Sequence, residues 1–297
     1  MSVTDAAAEL TRTREPFVQA TVVRAQKPTS AHAGDTALVR ADGSIDGFVG
    51  GTCAEASVRE YGLMTLSTNQ PLLLRIVPGE VAPTSTEEGA VTVANPCLSG
   101  GSVEIFLEPR VPAPRVLVVG ESPIAVALAD LGGPLGFDVQ LVSGDRARPE
   151  AGDAALVVAS HGRGEEPALT EALQLAVPYV GLIASRIRGA AVLAALDVSD
   201  EQRSRVHSPA GLDIGARTAA EIALSVLTEL VAERRSAEKL AAPPPGPAGA
   251  LDPVCGMTVA AVDSSPHATV DGVTTWFCCE GCRTAFLADP DRYARAS

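Results

Sequence analysis

The stretch RVLVVGESPIA, Arg115–Ala125, decides the fold class of this chain. Residues 116–119 form a continuous apolar run, which is typical of a strand that is buried on both faces of a sheet. Gly120 ends the run, and Pro123 suits the first turn of a helix. A strand, a tight turn and a helix in this order predict the first unit of a parallel α/β sheet.

The same alternation continues along the chain. Apolar runs at 138–142, 154–159 and 179–183 are separated by alanine-rich helical stretches, and a helix predicted over 218–233 follows them. Alternation of this kind predicts a Rossmann-like, doubly wound parallel sheet over residues 111–235.

Two further domains and a linker are predicted around this sheet. Residues 1–110 combine strand patterns with a helical pattern over 52–66, which predicts a mixed α+β domain. Residues 236–250 form a proline-rich linker. The cysteine-rich segment 251–297 is short enough to need a metal or another staple if it folds alone. The predicted fold class is therefore α/β, with a small C-terminal metal module.

Composition limits the functions that need to be considered. The 297 residues have a formal net charge of -13, which repels phosphate backbones, so nucleic-acid binding is not expected. The sequence has no run of about 18 apolar residues and no apolar leader, which predicts a cytoplasmic protein without a membrane span. Because the cytoplasm keeps thiols reduced, the six cysteines favour metal or sulfur chemistry over disulfides.

Three C-terminal cysteines have the spacing of metal ligands. Cys278 and Cys282 are four residues apart, as on one face of a helix, and Cys255 on an upstream turn offers a third thiolate. Thiolates select zinc or cuprous copper. Cys279 is a spare thiol or a buried hydrophobe. A structural zinc clip and a site for metal transfer or sensing are both open interpretations.

The whole C-terminal segment resembles the YHS domain, a small heavy-metal-associated module. The resemblance rests on Asp252–Met257 (DPVCGM), Trp276–Cys282 (WFCCEGC) and Asp289–Tyr293 (DPDRY). Trp276 stands where that family usually has tyrosine, a change that packing should tolerate. The resemblance implies that this module binds a heavy metal.

Two glycine–cysteine motifs mark the N-terminal domain. The first, Gly47–Glu55 (GFVGGTCAE), leads from a strand into a helix with Thr52 as the predicted N-cap. Cys53 then lies in the first helical turn, where the helix dipole lowers the pKa of a thiol. The second motif, Asn95–Pro109 (NPCLSGGSVEIFLEP), places Cys97 on a glycine-rich turn that enters a strand.

These motifs, together with Tyr179–Arg186 (YVGLIASR) and Ser208–Ala216 (SPAGLDIGA), resemble the XdhC/CoxF family over roughly residues 16–235. The resemblance implies an accessory protein without a catalytic residue. Such a protein binds molybdenum cofactor and assists its sulfuration and insertion into a molybdenum hydroxylase of the xanthine dehydrogenase or carbon monoxide dehydrogenase type. That client is the implied partner, and a cysteine desulfurase and a second copy of the chain are further candidates. The usual XdhC pattern has a third glycine at the position of Thr52. With threonine there, the motif is more similar to the CoxF pattern.

The implied cofactor is an anionic pterin dithiolene with a phosphate, which backbone N–H groups at glycine turns and helix starts can hold. Ligands of open α/β sheets collect at the carboxyl ends of the strands. The candidate cofactor-binding residues are Gly50, Gly51, Cys53, Glu55, Cys97, Gly100, Gly101, Gly120, Ser122, His161, Ser185 and Arg186. Arg188 is a further candidate phosphate binder, with a solvated surface pair as the alternative.

Other functions stay open. A dinucleotide-binding fold has glycines where this chain has Ser122 and Ala125, and Glu121 adds a negative charge at the turn. An NAD(P)-dependent oxidoreductase is therefore the weaker alternative. A metal-responsive adaptor is another, and delivery of copper to a molybdenum–copper client is a further hypothesis for the C-terminal module.

Overall fold

The computed structural model describes residues 2–79, 85–95, 101–160, 162, 164–240, 246 and 248–293. The chain folds into two compact units. One unit combines Met1–Pro112 with Pro243–Ser297, and the other is Ala113–Ala242.

The N-terminal part of the first unit is a seven-stranded sheet. Its helices are α1 (Val3–Arg12) and α2 (Thr52–Thr68), and its strands are β1 (Phe17–Gln26), β2 (Thr36–Arg40), β3 (Ile45–Gly47), β4 (Leu72–Pro78), β5 (Ser85–Glu87), β6 (Ala90–Asn95) and β7 (Ser102–Arg110). The strand order is β3-β2-β1-β7-β4-β6-β5. Neighbours are antiparallel except for the parallel pair β4 and β6. This mixed arrangement is the one that the sequence predicts.

The N-cap residue of helix α2 lies one position before the predicted one. Gly51, not Thr52, is the N-cap residue, and its carbonyl accepts hydrogen bonds from the N–H groups of Ala54 and Glu55 at 2.8 and 3.1 Å. The predicted Thr52 cap is therefore wrong. Glycine and threonine have similar preference for this position, so the local sequence does not choose between them. Cys53 lies in the first turn of the helix, as predicted.

The second unit is built on a parallel sheet. Its strands are β8 (Arg115–Val119), β9 (Asp138–Val142), β10 (Ala155–Val158), β11 (Tyr179–Leu182) and β12 (Val206–His207). Its helices are α3 (Pro123–Gly132), α4 (Glu165–Gln174), α5 (Arg186–Ala195), α6 (Asp200–Ser204) and α7 (Ala219–Leu240). The strand order is β12-β11-β10-β8-β9, and every pair is parallel. The predicted Rossmann-like sheet is confirmed.

The apolar run that predicted β8 is buried on both sides. Its residues from Val116 to Val119 are at most 2% exposed, and they contribute to the two apolar clusters that cover the two faces of the sheet. The order of the strands reverses between β8 and β10, which opens a crevice at their carboxyl ends. Helix α7 extends to Leu240, five residues into the segment that the sequence predicts as a linker.

The C-terminal residues form a small αβ module that packs on α2 of the same unit. It contains β13 (Gly249–Leu251), β14 (Thr258–Ala260), β15 (His267–Val270), β16 (Val273–Trp276), α8 (Glu280–Ala288) and α9 (Pro290–Tyr293). Ala56 of α2 belongs to the buried cluster that contains Phe277 and Phe286. Ser264 Oγ also donates a hydrogen bond to the carbonyl oxygen of Asp42 at 2.9 Å.

Within the described ranges, the helices are all too short or too polar to cross a lipid bilayer.

Candidate metal centre and cofactor cavities

Four side chains of the C-terminal module converge as a metal centre would require. They are Asp252, Cys255, Cys278 and Cys282, whose ligand atoms lie within 4.8 Å of one another. The Sγ atom of Cys278 is 3.6 Å from that of Cys255 and 3.6 Å from that of Cys282. A tetrahedral zinc ion with Zn–S bonds of about 2.3 Å holds its sulfurs about 3.8 Å apart, so these two pairs of thiols already have nearly that spacing.

The three cysteines come from two turns that face each other. Cys255 lies on a turn in which Gly256 has a φ of +77° and donates its N–H to the carbonyl of Asp252 at 2.8 Å. Cys278 follows β16, and Cys282 lies in the first turn of α8. Because α8 begins at Glu280, Cys278 and Cys282 do not share a helix face as predicted, although their thiols meet. Cys279 is the N-cap residue of α8.

Asp252 is the member of this cluster that the sequence analysis missed. Its side chain is fully buried, and its oxygens accept hydrogen bonds from the N–H groups of Val254 at 2.9 Å and Cys278 at 2.8 Å. A buried carboxylate requires compensating donors or a cation. Asp252 therefore connects the two cysteine-bearing turns, and its negative charge makes the cluster suited to a cation. Its place three residues before Cys255 was the signal available in the sequence.

The thiols of this cluster differ in acidity. The hydrogen bond with Cys278 lowers the pKa of Cys255. Burial, followed by the nearby charge of Asp252, raises the pKa of Cys282. Cys255 is therefore the thiol that ionises more readily, and a bound cation would favour the thiolate form of both.

In the second unit, a cavity of about 310 Å³ lies at the carboxyl ends of β8, β9 and β10, where the strand order reverses. We call it the Ser122 cavity. Its lining residues are Gly120, Glu121, Ser122, Ser143, Gly144, Ala159 and Ser160. Its lining includes Gly120 and Ser122, the two candidate residues that the sequence predicted at the glycine turn.

The local structure of the turn explains two of these residues. Gly120 has a φ of +126°, and a Cβ atom there would lie 2.6 Å from the carbonyl oxygen of Ala159, so the turn passes too close to β10 for a side chain. Ser122 Oγ accepts a hydrogen bond from the N–H of Ala125 at 3.2 Å and caps α3. Gly120 thus allows the close approach of the two backbones, and Ser122 stabilises the start of α3.

A second and larger cavity, of about 660 Å³, lies beyond the carboxyl ends of β11 and β12. We call it the Arg186 cavity. Ser185, Arg186, Arg188 and Asp213 are among its lining residues. Ser185 Oγ accepts a hydrogen bond from the N–H of Arg188 at 3.3 Å and caps α5. The predicted residues Ser185 and Arg186 therefore lie together at the edge of the sheet.

The remaining candidate residues lie in the first unit or outside the described residues. Gly50 has a φ of +136° before α2, and Glu55 is half-buried in the first turn of α2. A Cβ atom on Gly101 would lie 2.1 Å from the carbonyl oxygen of Pro28, which explains the glycine by packing. Three candidates, and the side chain of a fourth, fall outside the described part of the chain: Cys97, Gly100 and His161, and the thiol of Cys53.

The fold and these sites define a class, an α/β protein with a Rossmann-like ligand domain and a separate cluster of thiols with a carboxylate. A family model described as the XdhC Rossmann domain matches residues 116–230, and one described as the XdhC and CoxI family matches residues 10–77. The chain therefore belongs to the XdhC/CoxI family, as the sequence motifs predicted. The resemblance of residues 252–293 to the YHS domain stays a prediction.

Two curated relatives match this chain. "Uncharacterized protein YqeB" of Escherichia coli K12 is 30% identical over 265 residues, covering 80% of this chain and 47% of the relative. A protein of Bacillus subtilis 168 that is named as a probable xanthine dehydrogenase subunit is 26% identical over 161 residues, covering 45% of this chain and 47% of the relative. The chain spans about half the length of the curated relatives it matches.

A crystal structure titled as a xanthine dehydrogenase from Bacillus halodurans also aligns with this chain. The TM-score is 0.40 at 16% sequence identity, and the alignment covers 82% of this chain and 98% of the other.

Proposed function

We propose that this protein is a maturation factor for a molybdenum hydroxylase of the xanthine dehydrogenase or carbon monoxide dehydrogenase type. It binds molybdenum cofactor and assists the sulfuration of the cofactor and its insertion into the client. Membership of the XdhC/CoxI family supports this proposal, as does the name of the B. subtilis relative. The observation that carries it is the Arg186 cavity at the carboxyl edge of the sheet.

The residues of the Arg186 cavity fit a phosphorylated pterin. Its volume of about 660 Å³ is that of a small-molecule site. The start of α5, which Ser185 caps, presents backbone N–H groups and the positive end of the helix dipole. Arg186 adds a full charge and a guanidinium that can bind a phosphate through two hydrogen bonds. Ser185 and Arg186 would hold the phosphate of the cofactor.

Cys53 and Cys97 are the thiols that we propose for sulfur chemistry in the first unit. Cys53 lies in the first turn of α2, where the helix dipole favours a thiolate. When bound, the cofactor supplies the molybdenum and dithiolene chemistry. A cysteine desulfurase is the proposed source of sulfur.

The C-terminal cluster is proposed to hold zinc or cuprous copper. Cys255, Cys278 and Cys282 supply soft ligands, and Cys278 lies from each of the other two thiols at nearly the distance that a tetrahedral ion needs. The buried Asp252 supplies a fourth ligand or orients the three thiolates. If the metal only stabilises the fold of the module, its role is structural. If it is an exchangeable copper ion, the module could deliver copper to a molybdenum–copper client.

Pterin analysis of the purified protein tests cofactor binding. The full chain is purified without oxygen from cells that make molybdenum cofactor, and bound pterin is quantified by fluorescence after oxidation. We expect pterin in the wild-type protein and at least about a fivefold loss in Arg186→Ala, since an interaction with a charged phosphate contributes about 1.5–3 kcal/mol. Arg12→Ala, which changes an exposed arginine of α1, is the matched control. Pterin-free wild-type protein, or an unchanged Arg186→Ala, would refute the proposal.

The Ser122 cavity favours a second candidate, an NAD(P)-dependent oxidoreductase, because it lies where doubly wound sheets bind nucleotides. Glu121 opposes a phosphate there, and Pro123 at the start of α3 has no N–H to donate. Calorimetry with NAD(H) and NADP(H) separates the two functions. Micromolar nucleotide binding by protein that carries no pterin would favour the oxidoreductase.

A further inference from the structure

Glu165, the first residue of α4, connects two loops of the second unit. Its side chain is only 2% exposed. Its Oε1 atom accepts hydrogen bonds from Ser160 Oγ at 3.1 Å, from the N–H of Gly162 at 2.7 Å and from Arg188 Nη2 at 2.5 Å. Loss of any of these donors leaves a buried carboxylate less compensated. The loop after β10 and the first turn of α5 are therefore held in a fixed relation.

The partners of Glu165 line different cavities. Ser160 lines the Ser122 cavity, and Arg188 lines the Arg186 cavity. The preceding strands, β10 and β11, are hydrogen-bonded neighbours in the sheet, so the two cavities open at adjacent positions of the same edge. A displacement of Arg188 in one cavity would be transmitted through Glu165 to Ser160 in the other.

The two cavities differ in charge. Arg186 and Arg188 line the larger one, together with Asp213. Glu121 lines the smaller one, whose adjoining helix starts with a proline that lacks an N–H group. The ion pair with Glu165 offsets the charge of Arg188. Arg186 and the start of α5 are therefore the groups that favour an anionic group in the Arg186 cavity. A neutral group with hydroxyls or ring nitrogens is favoured in the Ser122 cavity, where the Glu121 carboxylate accepts hydrogen bonds and serine hydroxyls can donate them.

We propose that the two cavities are coupled subsites for one ligand, a phosphorylated heterocycle, and that Glu165 is the positioning residue that couples them. The phosphate lies in the Arg186 cavity, and the uncharged part of the ligand reaches the Ser122 cavity. This inference rests on the proposed function only in that molybdenum cofactor is a ligand of this class. The coupling itself belongs to the second unit and is measurable without that cofactor.

Titration of the full chain with inorganic phosphate tests the coupling. The amide signals of isotope-labelled protein are followed by NMR. Because phosphate attracts Arg188 away from Glu165, we expect saturable shifts at the start of α5 and also at Ser122 and Gly144 in the other cavity. Shifts that stay within α5 would overturn the coupling. A titration without saturable shifts at α5 would overturn the phosphate subsite.

The variant Glu165→Gln distinguishes positioning from a purely structural role. It removes the charge that neutralises Arg188, so phosphate should bind about threefold or more tightly, while the shifts at Ser122 and Gly144 disappear. Glu166→Gln, its exposed neighbour on α4, should change neither property. Unchanged phosphate affinity together with retained remote shifts in Glu165→Gln would overturn the proposal.

A second variant keeps the test valid if Glu165→Gln does not fold. Ser160→Ala preserves the ion pair of Glu165 and Arg188 and removes one link to the Ser122 cavity. It should leave phosphate affinity unchanged and reduce the shifts at Ser122, and shifts of full size would overturn the proposal. Wild-type protein without pterin but with coupled phosphate shifts would refute the proposed function alone.

Discussion

Asp252 shows how one residue can organise a cluster of candidate metal ligands without being a predicted ligand. Its buried carboxylate receives N–H groups from both cysteine-bearing turns, so its charge and its hydrogen bonds act on the same thiols. Nothing in the spacing of Asp252 and Cys278 along the sequence indicates this contact, because they are 26 residues apart. The cysteines were predictable from their residue type, and the only sequence signal for Asp252 was its place three residues before Cys255.

Asp252→Asn tests this role. The amide keeps the size of the side chain but removes the charge and replaces an acceptor with a donor, so the affinity for zinc should fall by about 10- to 100-fold. Competition with a chromophoric chelator measures this affinity in the full chain. Asp263→Asn, an exposed position of the same module, is the matched control. Equal affinities of the two variants would show that Asp252 has no part in the site.

Glu60 on α2 is a second residue with a chemical consequence. Burial raises its pKa from 4.5 to about 7. Because the folded state favours the protonated carboxyl, the contribution of Glu60 to stability is greatest below pH 4.5 and is lost as the pH rises through about 7.

Glu60→Gln should remove this pH dependence. At pH 8 the neutral amide avoids the burial of a charge, so we expect the free energy of unfolding to rise by about 1–3 kcal/mol, with little change at pH 4. Urea unfolding at both pH values measures the effect, with Glu166→Gln as the control. A variant that is destabilised at pH 8 would contradict this account of Glu60.

At the scale of elements, α2 packs against two partners. One face covers the seven-stranded sheet through Ala54 and Val58, and Ala56 packs into the C-terminal cluster. The helical pattern over 52–66 predicted the element, and the contact of Ala56 with the module was not predictable, because alanine is common on any helix face. The glycine–cysteine turn and the C-terminal module are thus attached to the same helix.

Ala56→Arg tests this packing. Residue 56 is 2% exposed, and a large charged side chain there should destabilise the contact by more than about 2 kcal/mol. Hydrogen exchange of the β14 and α8 amides should become faster, while that of β1 and β7 should change little. Thr68→Arg, an exposed position at the end of the same helix, should leave all four protected. Unchanged exchange in Ala56→Arg would contradict the packing of the module on α2.

At the scale of the whole molecule, the sequence predicted the parallel sheet and the family correctly. The apolar run of β8 and the separated motifs are local signals, which is why they were sufficient. The network of Glu165, Ser160 and Arg188 joins residues that are 5 and 23 positions apart, and side-chain contacts of this kind depend on tertiary packing. The coupled cavities could therefore not be predicted from the sequence.

The most direct test of the central claim is the activity of a client hydroxylase per mole of folded hydroxylase. A host molybdenum hydroxylase is purified from cells that carry the wild-type chain, Arg186→Ala or no chain, and its activity and cyanide-labile sulfur are measured. The account predicts folded hydroxylase with little activity and little labile sulfur in cells without the chain, a similar loss with Arg186→Ala, and full values with the wild type. Equal activity and sulfur content in all three preparations would contradict a role in maturation.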